Sequence, residues 1–297
     1  MFEGTLVALV TPFREGKVDT AAIERLVDWH VDQGTDGLVP VGTTGESPTV
    51  DVDEHERIIE TVVRAADGRV PVIAGTGGNA TAEAIELTRF ARDAGADGSL
   101  QVCPYYNKPT QDGLYAHFAA IAEACDLPMI LYNIPGRTGV SMTPETIARL
   151  ADLDQVVGIK EATGSMDQAS EILARCDLTV LSGDDSLTLP LMAIGARGVI
   201  SVVGNLVPQD MKRLTDAMLA GDVTTAREAH QRLYPLCRAM FVETNPIPIK
   251  TAMMWAGLLA SDERRLPLTD LAPASAEALR QAMTAYGLPD RTSQAGT

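Results

Sequence analysis

The sequence predicts a (β/α)8 barrel of the TIM-barrel class, followed by a helical C-terminal appendage. The chain has 297 residues, which suits one barrel of about 250 residues with a modest addition. Short apolar runs alternate with stretches of helical periodicity, the pattern of a parallel sheet with crossover helices. After about residue 222 only helical patterns remain.

The apolar runs are nearly continuous rather than alternating, as expected for parallel strands that are covered on both faces. They number eight, and eight such strands close a barrel. An open doubly wound sheet is the alternative. The runs cover residues 6–11, 37–41, 70–75, 98–103, 129–132, 156–160, 179–182 and 199–203.

Helices are predicted between the runs from apolar residues that recur with a period near 3.6. Thr143 before Pro144 is typical of a helix N-cap followed by a first-turn proline. In the appendage we expect helices at residues 223–240, 246–260 and 273–286, and a polar frayed tail at 289–297. The predicted domains are therefore a barrel at 1–222 and a helical unit at 223–297.

The chain is acidic, with a formal net charge of −16. This charge disfavours nucleic acid and anionic membranes as partners, but a locally positive pocket can still bind a small anion. No apolar stretch approaches the length that spans a bilayer. The sequence holds four cysteines without a C-x-x-C pair, which indicates reduced thiols and a cytoplasmic location.

One lysine stands where a barrel enzyme carries out its chemistry. Active sites of these barrels lie at the carboxyl ends of the strands, and Lys160 closes the run at 156–160. Its side chain should start inside the barrel, where a low dielectric favours the neutral amine. Such an amine attacks ketones and forms imines. The alternative is a structural lysine paired with Glu161.

Side chains at neighbouring strand ends suit that chemistry. Imine formation needs proton transfers, which Tyr132 could make, with Thr43 or Thr44 passing the proton onward. Arg137 follows in the next loop and offers a planar fork for a carboxylate. The amides of Thr43 and Thr44 could form a small anion nest. In the alternative interpretations Tyr132 only packs the barrel mouth and Arg137 is a surface charge.

Other chemistries find little support in the sequence. None of the four histidines pairs with another at metal-ligand spacing, so a zinc-dependent aldolase is disfavoured, and no metal is expected. Residues 75–78 do not form a dinucleotide fingerprint and are interpreted as backbone that passes close to the pocket. Asp184 and Asp185 are interpreted as loop residues.

Together these strand ends resemble the dihydrodipicolinate synthase family of pyruvate-dependent lyases. The set of segments is far more specific than any one of them and spans nearly the whole chain in order. Arg137 and the double tyrosine at residues 105–106 distinguish it from N-acetylneuraminate lyases and keto-deoxy sugar acid aldolases. The matching segments are residues 42–46, 104–111, 132–139, 158–162, 182–185, 199–201 and 245–250.

The resemblance implies a reaction without a cofactor. Lys160 would form an imine with pyruvate, and the derived enamine would attack L-aspartate-4-semialdehyde. Cyclisation would then give 4-hydroxy-tetrahydrodipicolinate, a precursor of diaminopimelate and L-lysine.

The resemblance also implies roles for individual residues. Thr43, Tyr132 and Tyr106 would relay protons, with Tyr106 reaching in from a neighbouring subunit of a homotetramer built as a dimer of dimers. The implied substrate contacts are made by Thr44, Ile200, Gly183 and Arg137.

An effector site for lysine is implied at a subunit interface by the match of His55, Asn79, Glu83 and Tyr105. Lysine-sensitive members of the family carry a second histidine where this chain has Val52, and a smaller residue where it has Pro48. Feedback inhibition is therefore not expected from the sequence.

Two other functions are weighed against the synthase. One is an aldolase of the same superfamily that cleaves a sugar acid. The other is a catalytically silent barrel with a binding or regulatory role, which the presence of Lys160, Arg137 and both tyrosines disfavours.

Overall fold

The structure is a computed structural model that describes residues 2–291. Residues 292–297 of the predicted polar tail lie outside the described residues.

Eight parallel strands form the barrel that the sequence predicts. Strand β1 pairs with both β2 and β8, the remaining strands follow in order, and a parallel bridge between Leu38 and Val72 joins the two edges. This ring excludes the open doubly wound alternative. The strands are β1 Gly4–Ala8, β2 Gly37–Val39, β3 Ile73–Gly75, β4 Gly98–Val102, β5 Met129–Asn133, β6 Val156–Glu161, β7 Thr179–Ser182 and β8 Gly198–Ser201.

Helices cover the outside of the ring, and most begin at a side chain that caps the first turn. Thr143 accepts a hydrogen bond from the amide of Thr146, as the predicted N-cap should. The helices around the barrel are α1 Thr20–Asp32, α2 Val52–Ala66, α3 Thr81–Asp93, α4 Gln111–Ala124, α5 Pro144–Leu150, α6 Met166–Arg175, α7 Thr188–Ala193 and α8 Pro208–Leu219.

The inside of the barrel holds its own apolar cluster, to which alternate residues of the strands contribute. Leu6, Leu100, Leu181 and Ile200 belong to it, together with Tyr132 at the carboxyl end. A larger cluster fills the space between the strands and the helices. The barrel is thus a packed core, and its open end is confined to the strand termini.

Two polar residues in strand β4 face outward to partners. The Gln101 side-chain amide donates to the hydroxyls of Thr76 at 2.7 Å and Thr88 at 2.8 Å. The Ser99 hydroxyl donates to the carbonyl of Pro128 at 3.5 Å. The donors of both side chains are thus hydrogen-bonded, which favours their burial, while Oε1 of Gln101 has no hydrogen-bond partner within the described chain.

Helices follow the barrel as predicted: α9 Val223–Ala239, α10 Ile247–Trp255 and α11 Pro273–Tyr286. Helix α10 ends at Trp255, five residues before the predicted end. The larger apolar cluster continues from the barrel into these helices, so the domain boundary at residue 222 stays a prediction. Within the described chain no helix has the length and apolar character needed to cross a membrane.

Strands β1 and β8 approach each other closely at two glycines, which gives a test of the barrel seam. A Cβ added at Gly198 would lie 2.1 Å from the carbonyl oxygen of Gly4. We expect Gly198→Ala to lower the free energy of unfolding by about 3 kcal/mol or more, because the clash is with backbone. Urea unfolding measures the change.

Gly136→Ala is the matched control, since no atom lies within 4 Å of its added Cβ. Its effect should stay within about 1 kcal/mol. Equal stabilities of the two variants would contradict the register between β1 and β8.

Candidate active site

Lys160 lies inside the barrel mouth with its amine close to an aromatic ring. Its residue is 5 % exposed, and Nζ stands 4.3 Å from the centre of the Tyr132 ring, because the two residues are paired between β5 and β6. Among the described residues, the amine makes no hydrogen bond and no ion pair. Lys160 is therefore free to react with a substrate.

Glu161 does not pair with this lysine. Its carboxylate accepts a hydrogen bond from the amide of Thr163 at 2.8 Å and lies 3.4 Å from the side-chain nitrogen of Asn133. Burial raises the pKa of Glu161. The carboxylate is thus held among the loops behind β6, and the interpretation of Lys160 as a structural ion-pair lysine finds no support in the geometry.

A second buried lysine shows the opposite environment. The amine of Lys250 donates to Glu46 at 2.6 Å, to the carbonyl of Thr11 at 2.9 Å and to the carbonyl of Glu263. Burial lowers the pKa of Lys250, and the Glu46 carboxylate opposes this effect. All three donors of the ammonium group are used, so Lys250 serves as a structural cation and is not available as a nucleophile.

Gly183 lies against strand β6, which carries Lys160. Its amide donates to the carbonyl of Glu161 at 2.8 Å, and a Cβ added here would lie 2.6 Å from Cβ of Ala162 and 3.2 Å from Cγ of Lys160. Glycine therefore lets β7 close on the stem of the lysine. Ile200 is buried in the same inner layer, so both predicted contact residues surround the base of the site.

A cavity of about 30 Å³ lies between Tyr132 and Thr43. Gly77 lines it, and a Cβ added at Gly77 would lie 2.3 Å from the amide nitrogen of Val102. The glycine-containing segment at 75–78 thus passes close to the pocket, as its sequence indicates.

The turn at residues 42–46 presents free amides. It is closed by hydrogen bonds from Gly45 to the carbonyl of Gly42 and from Glu46 to the carbonyl of Thr43. Within residues 2–291 the amides of Thr43 and Thr44 donate to no other group, which leaves them for an anion. Val41 just before the turn has φ 52°, a conformation that costs a β-branched residue about 1–3 kcal/mol.

Arg137 lines a second, larger cavity of about 220 Å³ that also touches Thr43. Its guanidinium donates to the carbonyl of Asn245 at 3.2 Å. The side-chain amide of Asn245 donates to the hydroxyl of Thr44 at 3.0 Å. The sequence gives Asn245 no role beyond its place in the matched segment 245–250, whereas the structure places it between the loops that carry Thr44 and Arg137.

Tyr106 lies on the surface of the single chain. It is 90 % exposed and has φ 72°. The loop around it is fixed, because the side-chain amide of Asn107 donates to the carbonyl of Asn79 at 2.8 Å. The tyrosine therefore projects from an ordered loop away from the body of its own chain.

The residues of the implied effector site gather in one cavity of about 60 Å³. His55, Glu83 and Tyr105 line it together with Val52, while Asn79 donates to the carbonyl of Tyr105. Burial lowers the pKa of His55, and its Nε2 bonds the carbonyl of Gly75 at 2.8 Å.

The carboxylate of Asp185 binds the backbone immediately after strand β8. One carboxylate oxygen accepts the amides of Val202 at 3.0 Å and Val203 at 2.8 Å, immediately after Ile200 and Ser201. Burial raises the pKa of Asp185 to about 6. Asp185 is thus a loop residue, as interpreted from the sequence, and it fixes the turn that follows strand β8.

A more voluminous hollow lies elsewhere. About 530 Å³ in volume, it opens between α1, α8 and the start of α9 and is lined by Lys212 and Asp216, which pair with each other at 3.1 Å. It is at the amino end of the barrel, where these folds do not carry out catalysis. No group of acidic, histidine or cysteine residues suited to a metal ion occurs within residues 2–291.

The fold and the site define a class of protein. A (β/α)8 barrel with an unbonded buried lysine beside a tyrosine at the carboxyl ends of its strands is typical of enzymes that act through an imine. The profile of the dihydrodipicolinate synthetase family matches residues 1–286, and the chain belongs to this family.

Similar proteins agree over nearly the full length. The 4-hydroxy-tetrahydrodipicolinate synthase of Pelobacter propionicus is 57 % identical over 97 % of this chain and all of the relative. The dihydrodipicolinate synthase of Aquifex aeolicus is 52 % identical with a TM-score of 0.96, covering 98 % of this chain and all of that one. The chloride-inhibited enzyme of Acinetobacter baumannii, solved in complex with pyruvate, is 46 % identical with a TM-score of 0.95, covering 97 % and 100 %.

The raised pKa of Asp185 gives a pH-dependent stability. The buried carboxylate carries a desolvation cost above pH 6, and this cost is lost as the pH falls through about 6, because the folded carboxyl takes up its proton before the unfolded one does. Relative to Asp185→Asn, the wild type should gain about 1 kcal/mol of unfolding free energy between pH 7 and pH 5.

Urea titrations of both proteins at several pH values in this window measure the difference. A difference that is constant or changes in the opposite direction would contradict the buried carboxylate.

Proposed function

We propose that this enzyme condenses pyruvate with L-aspartate-4-semialdehyde to give 4-hydroxy-tetrahydrodipicolinate, in the route to diaminopimelate and L-lysine. The observation that carries the proposal is the unbonded amine of Lys160, 4.3 Å from the Tyr132 ring. The printed activities of the similar proteins support it.

The first chemical step needs an amine, a ketone and proton transfers. Lys160 Nζ adds to the keto carbon of pyruvate, and loss of water from the carbinolamine gives the imine. Tyr132 and Thr43 share a cavity, and the Tyr132 ring lies against the Lys160 amine. Their hydroxyls are therefore proposed to move protons to the departing oxygen.

The second step builds the ring. Loss of a methyl proton from the imine gives an enamine, which adds to the aldehyde carbon of the semialdehyde. The amino group of that substrate then attacks the imine carbon and releases Lys160 as the free amine. A barrel mouth in which the lysine has no competing partner allows both its attack and its release.

Each substrate carries a carboxylate, and the site offers two sets of hydrogen-bond donors that can bind an anion. The free amides of Thr43 and Thr44 form the inner of the two. Arg137 forms the outer one, in the larger cavity that adjoins Thr43. A planar guanidinium fork suits the carboxylate of the longer substrate, which has to reach outward from the reacting centre.

We propose a homotetramer, a dimer of dimers, in which Tyr106 completes the proton relay of a neighbouring subunit. Its side chain is almost fully exposed in a fixed loop. A large aromatic side chain held outward in this way is suited to burial against a partner.

The cavity at His55, Glu83 and Tyr105 is proposed as the position of the family's lysine effector site. Val52 offers methyl groups at its rim, where a polar partner for the ligand would be required. We therefore propose that L-lysine inhibits this enzyme weakly or not at all. A cytoplasmic location is proposed as well, supported by four unpaired cysteines.

Reduction of the imine tests the proposal. Pyruvate followed by borohydride should fix a three-carbon adduct on Lys160, and addition of the semialdehyde should give turnover that a downstream reductase reports. Lys160→Ala should lower turnover by at least about 10³-fold, because the covalent route is lost. Peptide mass spectrometry locates the adduct.

Lys250 is the internal control, since its ammonium group is saturated and should stay unlabelled. An adduct on Lys250, or unmodified protein, would overturn the assignment. An adduct on Lys160 with cleavage of a sugar acid but no reaction of the semialdehyde would assign the chain to another aldolase of the superfamily.

Subunit exchange tests the place of Tyr106. Tyr106→Phe and Lys160→Ala should each be poorly active alone, but mixed dimers should regain activity, because one site then combines an intact lysine with an intact partner tyrosine. Statistical mixing predicts that about one quarter of the sites are restored. Turnover after exchange measures the regain.

The control is a mixture of Tyr106→Phe with the double variant Tyr106→Phe/Lys160→Ala, which contains no intact tyrosine. A regain in the control, or none in the test mixture, would place Tyr106 outside the shared site.

A further inference from the structure

We infer that Glu46 and Lys250 are positioning residues of the reaction: their buried ion pair fixes the turn that holds Thr43 and Thr44. The inference rests on the proposed function and extends it to two residues that contact no substrate. It joins the barrel to helix α10, which supplies Lys250.

The pair is buried completely. Both side chains are at most 1 % exposed, and Nζ of Lys250 lies 2.6 Å from Oε1 of Glu46. An ion pair removed from water persists only where hydrogen bonds satisfy the remaining atoms. Here the carbonyls of Thr11 and Glu263 take the other two protons of the ammonium group, and Phe13 presents its ring at 4.5 Å.

The backbone conformation of Glu46 is unfavourable for glutamate, which indicates that its side chain has a specific role at this position. Glu46 has φ 58°, in the left-handed region, where glycine and asparagine are favoured over glutamate. Its second carboxylate oxygen accepts the amide of Arg265 at 3.2 Å. A residue that suits the backbone poorly is thus held by two contacts to the C-terminal part of the chain.

The opposite side of the same turn is closed by packing. A Cβ added at Gly45 would lie 3.0 Å from backbone atoms of Val41 and 3.2 Å from the carbonyl of Leu9. The hydroxyl of Thr11 donates to the carbonyl of Gly45 at 2.7 Å. The segment that follows strand β1 therefore closes one side of the turn, and the Glu46–Lys250 pair anchors its other end.

The segment that carries Lys250 also reaches the middle of the turn. Asn245, five residues earlier, donates from its side chain to the hydroxyl of Thr44 and accepts a hydrogen bond from Arg137 on its carbonyl. One short segment at 245–250 thus fixes the positions of Thr44 and Arg137 relative to each other. Loss of the ion pair releases the end of the turn and allows its amides to move.

Displaced amides should weaken the binding of pyruvate more than they slow the chemistry. Lys160 and Tyr132 are fixed by β5 and β6, which the ion pair does not touch, whereas a shift of about 1 Å in a binding group can cost up to about 10²-fold. We expect Glu46→Gln and Lys250→Met to raise KM for pyruvate at least about 10-fold. The fall in kcat should be smaller, because only Thr43 of the proposed proton relay lies on the turn that moves.

The experiment measures imine formation and turnover separately. The rate of borohydride-trapped adduct on Lys160 is followed against pyruvate concentration without the semialdehyde, which gives an apparent KM that does not depend on the fraction of folded enzyme. Steady-state turnover with both substrates then gives kcat for each variant.

Lys212→Met is the matched control. Lys212 pairs with Asp36 at 2.6 Å at the other end of the barrel, and this pair is only partly buried. Its loss should lower stability but leave KM for pyruvate unchanged, which separates a general loss of stability from a loss of positioning.

An unchanged KM in both Glu46→Gln and Lys250→Met, or an equal rise in Lys212→Met, would overturn the inference. If neither variant folds, the pair has a purely structural role and the inference also fails. Absence of a wild-type adduct would instead refute the proposed function, so the two failures are distinguishable.

Discussion

The barrel mouth holds two buried lysines in opposite surroundings. Removing a lysine ammonium group from water is costly unless polar groups surround it. Lys250 keeps its charge, because a carboxylate, two carbonyls and an aromatic ring surround it. Lys160 lies at a similar depth and makes no hydrogen bond within the described chain. The difference follows from what each strand end and loop brings to the amine, and it separates a structural cation from a reactive group.

Close backbone approach is the second condition for such a site. Gly183 allows β7 to lie against the stem of Lys160, and Gly77 allows the loop after β3 to lie against β4. A side chain at either position would displace a strand end. Reacting atoms must be held within about 0.5 Å of their productive positions, and we expect the displacement to exceed this limit. The packing of glycines therefore sets the geometry at which Tyr132 meets the amine.

Much of this arrangement could be predicted from local sequence. Continuous apolar runs indicate parallel strands, and the rule that barrel sites lie at strand ends then selects Lys160, Tyr132 and Thr43. Strand bounds were less accurate: β1 begins at Gly4 and ends at Ala8, earlier than the predicted 6–11. Strand β3 begins at Ile73 rather than at 70, after Pro71, which has no amide proton to donate.

The supporting residues could not be predicted in the same way. Lys250 meets Glu46 across 204 positions of sequence, and Asn245 meets Thr44 across 201. No periodicity or turn rule links positions so far apart, and a matched motif gives a residue's place in the chain without its partner. Asp185 also has a long-range partner, because its contact with Val203 depends on how β7 and β8 end side by side.

The negative net charge of the chain makes the residues that position the anion-binding groups more important. At −16 the protein repels anions at long range, and both proposed substrates carry carboxylates, so attraction has to come from donors inside the site. Many of the surface arginines are paired with acids in exposed bridges, such as Arg64 with Glu24, and such pairs contribute little. In the proposed reaction, affinity would therefore depend on a few amides and one guanidinium at short distance. The attraction between these groups and a carboxylate weakens as their distance grows. The segment at 245–250, which fixes the positions of the amides and the guanidinium, is therefore as important as the groups themselves.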